Sequence, residues 1–123
     1  MKRRIGLLLC WLGIGAAQAA ELVTIDWGEA RRFELQRRIE AGKVLEVCGP
    51  LPAGQAIDWQ FVADAPLAFN IHHHVGKQVY YAERRARTKT MTARFTPVDA
   101  ADYCWMWTAP KTAAVQLQLL LRH

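Results

Sequence analysis

Three consecutive histidines, His72-His73-His74, form the densest group of metal-ligating side chains in this chain. On an extended strand, residues two apart share a face, so His72 and His74 stand side by side with Asn70, while His73 points with Leu67, Phe69 and Ile71. The pair is expected to be exposed, and two imidazoles at that spacing can ligate one borderline metal ion. A softer donor set surrounds Met106, flanked by Trp105 and Trp107, with Met91 on another strand. A thioether beside indole faces suits a cuprous ion. The tentative metal set is therefore His72, His74 and Met106, with copper as the ion. Against it, tetrahedral zinc needs three or four protein ligands, and no spaced Cys pair completes the set. The competing expectation makes the histidines a polar rim at the mouth of a hairpin, with Met106 packed in the core.

Catalytic chemistry finds little to work with. The sequence contains no serine at all, and no cysteine nucleophile stands beside a histidine. Asp99 and Asp102 fall in a turn, where solvent keeps carboxylates ordinary. The basic stretch Glu83-Arg84-Arg85-Ala86-Arg87-Thr88-Lys89, after an expected strand Gln78 to Tyr81, reads as a solvated loop or as a contact for anions or headgroups.

The elements that carry these residues are short strands. Ile57, Trp59 and Phe61 alternate with polar residues, as do Leu67, Phe69 and Ile71, Met91, Ala93 and Phe95, and the segment Val115 to Leu121. Turn signals separate them at Ala41-Gly42-Lys43, Gly49 to Gly54, Asp64-Ala65-Pro66, Val75-Gly76-Lys77, Pro97-Val98-Asp99 and Ala109-Pro110-Lys111. Glu29 to Arg38 suits a strand or a short helix, and strand is preferred. About eight strands result, the count for a single antiparallel β-sandwich. In the run Tyr103-Cys104-Trp105-Met106-Trp107, one face carries three aromatics and the other Cys104 and Met106. If the aromatics face outward, Trp105 and Trp107 join Asn70, His72 and His74 as a binding surface. If they face inward, that patch vanishes.

The first residues give the location. Met1 to Arg4 is cationic, Ile5 to Gly15 is apolar for about eleven residues, and Ala17-Gln18-Ala19 is a small-x-small cleavage site, so residues 1–19 read as a secretory signal peptide. Lipid attachment at Cys10 is disfavoured by Leu9, which is not small. A single domain, 20–123, remains, with no later transmembrane segment. Losing Lys2, Arg3 and Arg4 lowers Lys plus Arg from 16 to 13 against 11 acids, so the net charge falls from +5 to +2. That balance gives no argument for nucleic acid. Cys48 and Cys104 are left, and an even pair in an exported domain usually means a disulfide, the alternative being reactive thiols or metal ligands.

The order Phe33, Ile39-Glu40-Ala41-Gly42, Val44 to Cys48, Ile57 to Phe61, Phe95 and Asp102-Tyr103-Cys104 resembles the GOLD (Golgi dynamics) domain. The resemblance implies a β-sandwich, a Cys48–Cys104 bridge, and recognition of protein or lipid. It departs at Asp102, where the family often has glycine, and in lacking a coiled coil and anchor after Leu121. The expectation is a non-catalytic periplasmic or secreted module that binds a protein, lipid or small ligand in the cell envelope, with no cofactor. Periplasmic copper handling is the alternative, and a structural subunit of an envelope complex a third.

Overall fold

A computed structural model describes residues 20–123. The signal peptide 1–19 and Cys10 lie outside the described residues. Seven strands follow in order: β1 (Glu21–Thr24), β2 (Arg32–Ile39), β3 (Val44–Leu51), β4 (Ile57–Val75), β5 (Gln78–Phe95), β6 (Ala101–Thr108) and β7 (Val115–Arg122). Glu29 to Arg38 is not a helix, and from Arg32 onward it lies in β2. The expected all-β class holds, in the form of one curled sheet of order β1-β3-β6-β4-β7-β2, with β5 paired to β4. The sheet is mixed rather than strictly antiparallel, because β1 runs parallel to β3.

The strand number is seven rather than eight because the turn expected at Asp64-Ala65-Pro66 does not form. β4 runs through it for 19 residues, and β5 for 18 beside it. The first half of β4 pairs with β7 from Asp58↔Arg122 to Ala63↔Leu117, and the second half pairs with β6 from Ala68↔Thr108 to His73↔Tyr103. Pro66 falls between these two ladders, where its missing N–H leaves no bond unmade and the register against β5 also shifts. One strand thereby serves both layers of the sandwich.

Period-two alternation decides which face is inside. On β6, Tyr103, Trp105 and Trp107 are buried, and the paired β3 residues Val47 and Leu45 join them. Phe61 and Phe69 pack at 4.8 Å between ring centroids, and Phe69 meets Trp107 at 5.4 Å. Trp59 reaches the same group at 5.2 Å from Phe69. Leu117, Leu119 and Leu121 of β7 close it from the other layer. The indole N–H groups of Trp59, Trp105 and Trp107 have no hydrogen-bond partner among the described residues. Each such group costs about 1–3 kcal/mol, which the burial of about 200 Å² of ring surface, worth about 5 kcal/mol, exceeds.

Cys48 and Cys104 face each other across β3 and β6 and form the disulfide. The bridge sits on the outward side of the sheet, half-buried, opposite in sense to the tryptophans.

Candidate functional site: the histidine end of the long hairpin

Strands β4 and β5 are joined by the two residues Gly76-Lys77, with Val75 paired to Gln78. Gly76 has φ +58°, as the first position of the Gly-X hairpin turn requires, and an L side chain there would be strained. This tight turn places the three histidines at the end of the hairpin, opposite Val79, Tyr80 and Tyr81.

Alternation splits the histidines as the sequence predicts, but their exposure differs from the expectation. His74 is exposed, whereas His72 is only 5% exposed and Asn70 9%. The cause is the neighbouring strands: His72 lies opposite Cys104 of β6 and Tyr81 of β5, whose side chains flank it. Its Nδ1 lies 2.6 Å from Asn70 Oδ1, and its Nε2 faces Glu46 Oε1 of β3 at 3.4 Å. The His74 ring stands edge-on to it with centroids 5.2 Å apart, and the Tyr81 ring lies at 6.1 Å. Burial holds the His72 imidazole below its ordinary pKa. The Glu46 carboxylate opposes that shift, and His74 and His73 add to it.

The opposite face carries His73, stacked on Tyr80 at 5.5 Å and tilted against Tyr103 at 4.7 Å. Its alignment with the apolar side of β4 is as the period predicts. Tyr103 donates from its hydroxyl to the Asp99 carbonyl oxygen at 2.7 Å.

The tip is the most apolar exposed region at this end. Val75, Val79, Tyr80 and Tyr81 are 57, 40, 52 and 46% exposed. Arg84 lies 4.4 Å over the Tyr81 ring and fixes it by a cation–π contact. Beside it an open groove runs along Ala68, Asn70, Arg84, Met106 and Thr108.

Of the residues singled out by sequence, Asn70, His72, His74 and Met106 share the outward face of one region. Met106 of β6 lies opposite Asn70 of β4 on one side and Glu46 of β3 on the other. Trp105 and Trp107 do not belong to a surface: both are fully buried, because their face is the one that meets Leu45 and Val47. Met91 is excluded as well, since it pairs with Phe61 in the other half of β4 and packs against the core. Glu46, His72 and Cys104 come together closely enough to hold an ion, but the Cys104 sulfur is tied to Cys48. A cuprous ion wanting thiolate or clustered thioethers is not favoured by this set.

Sequence reasoning missed Glu46 and the two tyrosines. Glu46 carries a legible signal, an acid between Leu45 and Val47 on the outward face of a strand, but its approach to His72 depends on β6 lying between β3 and β4. Tyr80 and Tyr81 follow from the hairpin itself, whose two-residue turn sets them opposite His73 and His72.

No known protein family and no curated protein matches this sequence. Among solved structures, the chain is similar to the Aeromonas hydrophila PliG, a periplasmic lysozyme inhibitor of g-type lysozyme, at TM-score 0.64 and 14% identity, over 84% of this chain and 96% of that one. Salmonella Typhimurium PliG, also an inhibitor of g-type lysozyme, matches at TM-score 0.57 and 6% identity, over 85% and 98%. The pre-peptidase C-terminal domain of a Bacillus anthracis collagenase matches at TM-score 0.65 and 14% identity, over 85% and 97%. At these identities the likeness is one of fold. The sandwich expected from the GOLD resemblance is present, in the architecture of these bacterial β-sandwich-like proteins.

Proposed function

We propose that this protein is an exported, periplasmic, non-catalytic module that recognises a protein partner through the tip of the β4–β5 hairpin. The observation that carries the reading is the tip itself: Val79 and Tyr81 are exposed on the face of His72 and His74, and Val75 and Tyr80 on the face of His73, at the end of one tight hairpin, with Tyr81 held under Arg84. Rigid aromatic side chains of this kind are the usual anchors of protein interfaces. His74 stands at the edge of the patch and belongs to it, while buried Asn70 and His72 support it from below. The signal-like residues 1–19 and the disulfide support export. Two folds of similar shape inhibit g-type lysozyme in the periplasm, which makes that enzyme the first partner to try. The GOLD resemblance agrees at the level of a disulfide-stapled sandwich used for recognition.

The test has two arms. The oxidised protein is titrated against a g-type lysozyme by interferometry, beside a Tyr80→Ala/Tyr81→Ala variant. Binding weakened about 30-fold in the variant, equivalent to about 2 kcal/mol, is the expected result for a hot spot. Absence of binding removes lysozyme as the partner. In the second arm, a photo-reactive residue replaces Tyr80 in cells exporting the protein, with position 111 at the far end as control. A discrete protein adduct is expected at 80 and not at 111; its absence overturns the reading itself.

A further inference from the structure

We propose that Glu46, His72 and His74 form a binding site for a borderline divalent cation of the zinc class. With Nδ1 of His72 donating to Asn70 Oδ1 at 2.6 Å, the neutral ring carries its lone pair on Nε2, which lies 3.4 Å from the Glu46 carboxylate. Two electron-rich atoms therefore face each other in a largely buried position. The distance is long for a hydrogen bond, whose donor–acceptor separation is about 2.7–3.2 Å. It equals the separation of two ligands on one tetrahedral zinc ion, about 3.3 Å for bonds of about 2.0–2.1 Å.

The surroundings have the features such a site requires. Asn70 fixes the tautomer and the ring plane of His72, as hydrogen-bonded partners do for metal-bound imidazoles. His74, next on the same face with its ring 5.2 Å away, is exposed and free to turn a nitrogen toward the ion. Two imidazoles and one carboxylate are a recognised zinc set, with the fourth position left to water or to a group from a partner. The Cys104 sulfur lies close by but is not a thiolate while bonded to Cys48, so it is outside the set. Met106 is likewise outside it, a soft thioether that zinc prefers less than nitrogen or oxygen. The third ligand that the histidine pair lacks in the sequence comes from β3, across β6.

The experiment is a calorimetric titration of the chelator-stripped, oxidised protein with zinc chloride at pH 7.5. One-to-one binding with Kd below about 10 μM is expected, and Glu46→Gln and His74→Ala should each weaken it at least tenfold. Both side chains are partly exposed, so these variants keep the fold, which circular dichroism verifies. His123→Ala, whose ring packs edge-on against Trp27, should bind as the parent does. Nitrogen chemical shifts should show zinc at Nε2 of His72 with the proton retained on Nδ1. Binding weaker than about 10 μM, unchanged affinity in Glu46→Gln and His74→Ala, or affinity lost in His123→Ala would each overturn the proposal.

Discussion

Tyr103 shows how one residue ties the hairpin end to the rest of the fold. Its ring packs against His73 at 4.7 Å and Phe95 at 5.1 Å, and its hydroxyl donates to the Asp99 carbonyl oxygen. Burial raises the phenol pKa above its ordinary value of 10, the Asp99 charge adds to this, and the hydrogen bond to Asp99 opposes it. In the unfolded chain the phenol ionises first, so its contribution to stability is complete below about pH 10 and is lost as pH rises through the folded value. Tyr103→Phe should cost about 1 kcal/mol at pH 8 for the missing hydrogen bond and should flatten the decline between pH 9 and 11. Urea midpoints across that range read both effects. A variant as pH-sensitive as the parent would place the alkaline loss elsewhere. At this scale the alternation of Tyr103, Trp105 and Trp107 was legible, but the side facing inward was not. Strand period yields two faces, and only the pairing of Trp107 with Leu45 and Trp105 with Val47 chooses between them.

Among the elements, the paired strands β3 and β6 carry the disulfide, and β4 carries the corner between layers. The sequence separation of the bridge is 56 residues, and it encloses the long β4–β5 hairpin. In the loop-entropy account, closing a loop of this length restricts the unfolded chain by about 4 kcal/mol. Cys48→Ser/Cys104→Ser should lose close to that amount, measured as a fall in ΔG of unfolding in guanidinium, with little change in circular dichroism under native conditions. A loss below about 1 kcal/mol would mean that the unfolded chain is already restrained at this point. The strands were readable from their period wherever one face is buried, and Val115 to Leu121 is the clearest case. The Asp64-Ala65-Pro66 segment was not. Turn chemistry is read from local residues, whereas here Pro66 occupies an extended corner fixed by β7 on one side and β6 on the other. Glu46 was hidden for the same reason, since strand order sets which side chains cross to meet His72.

At the scale of the whole fold, one long edge is open among the described residues. β5 extends for 18 residues and pairs there with β4 alone, so its other side presents unpaired backbone groups. An edge of this length is a template for another strand, and proteins commonly guard such edges with charge. Here the middle of β5 carries Arg84, Arg85, Arg87 and Lys89, so the stretch expected as a solvated loop is instead strand and lies along that edge. Glu83 pairs with Arg85 at 3.0 Å, leaving the stretch predominantly positive. A second copy approaching edge to edge would bring like charges together, while a partner with complementary charge would not meet that barrier. Replacing Arg85, Arg87 and Lys89 by threonine keeps strand propensity and removes the barrier. This variant should self-associate at concentrations where the parent does not, visible as a rise in mass by light scattering after size exclusion. Restoring the arginine at position 87 alone should reverse part of the rise. If the triple variant keeps the parent's mass up to high concentration, the edge is shielded by its twist or by side chains on the tip, and the positive stretch has to be explained by the partner it attracts rather than by the copies it keeps apart.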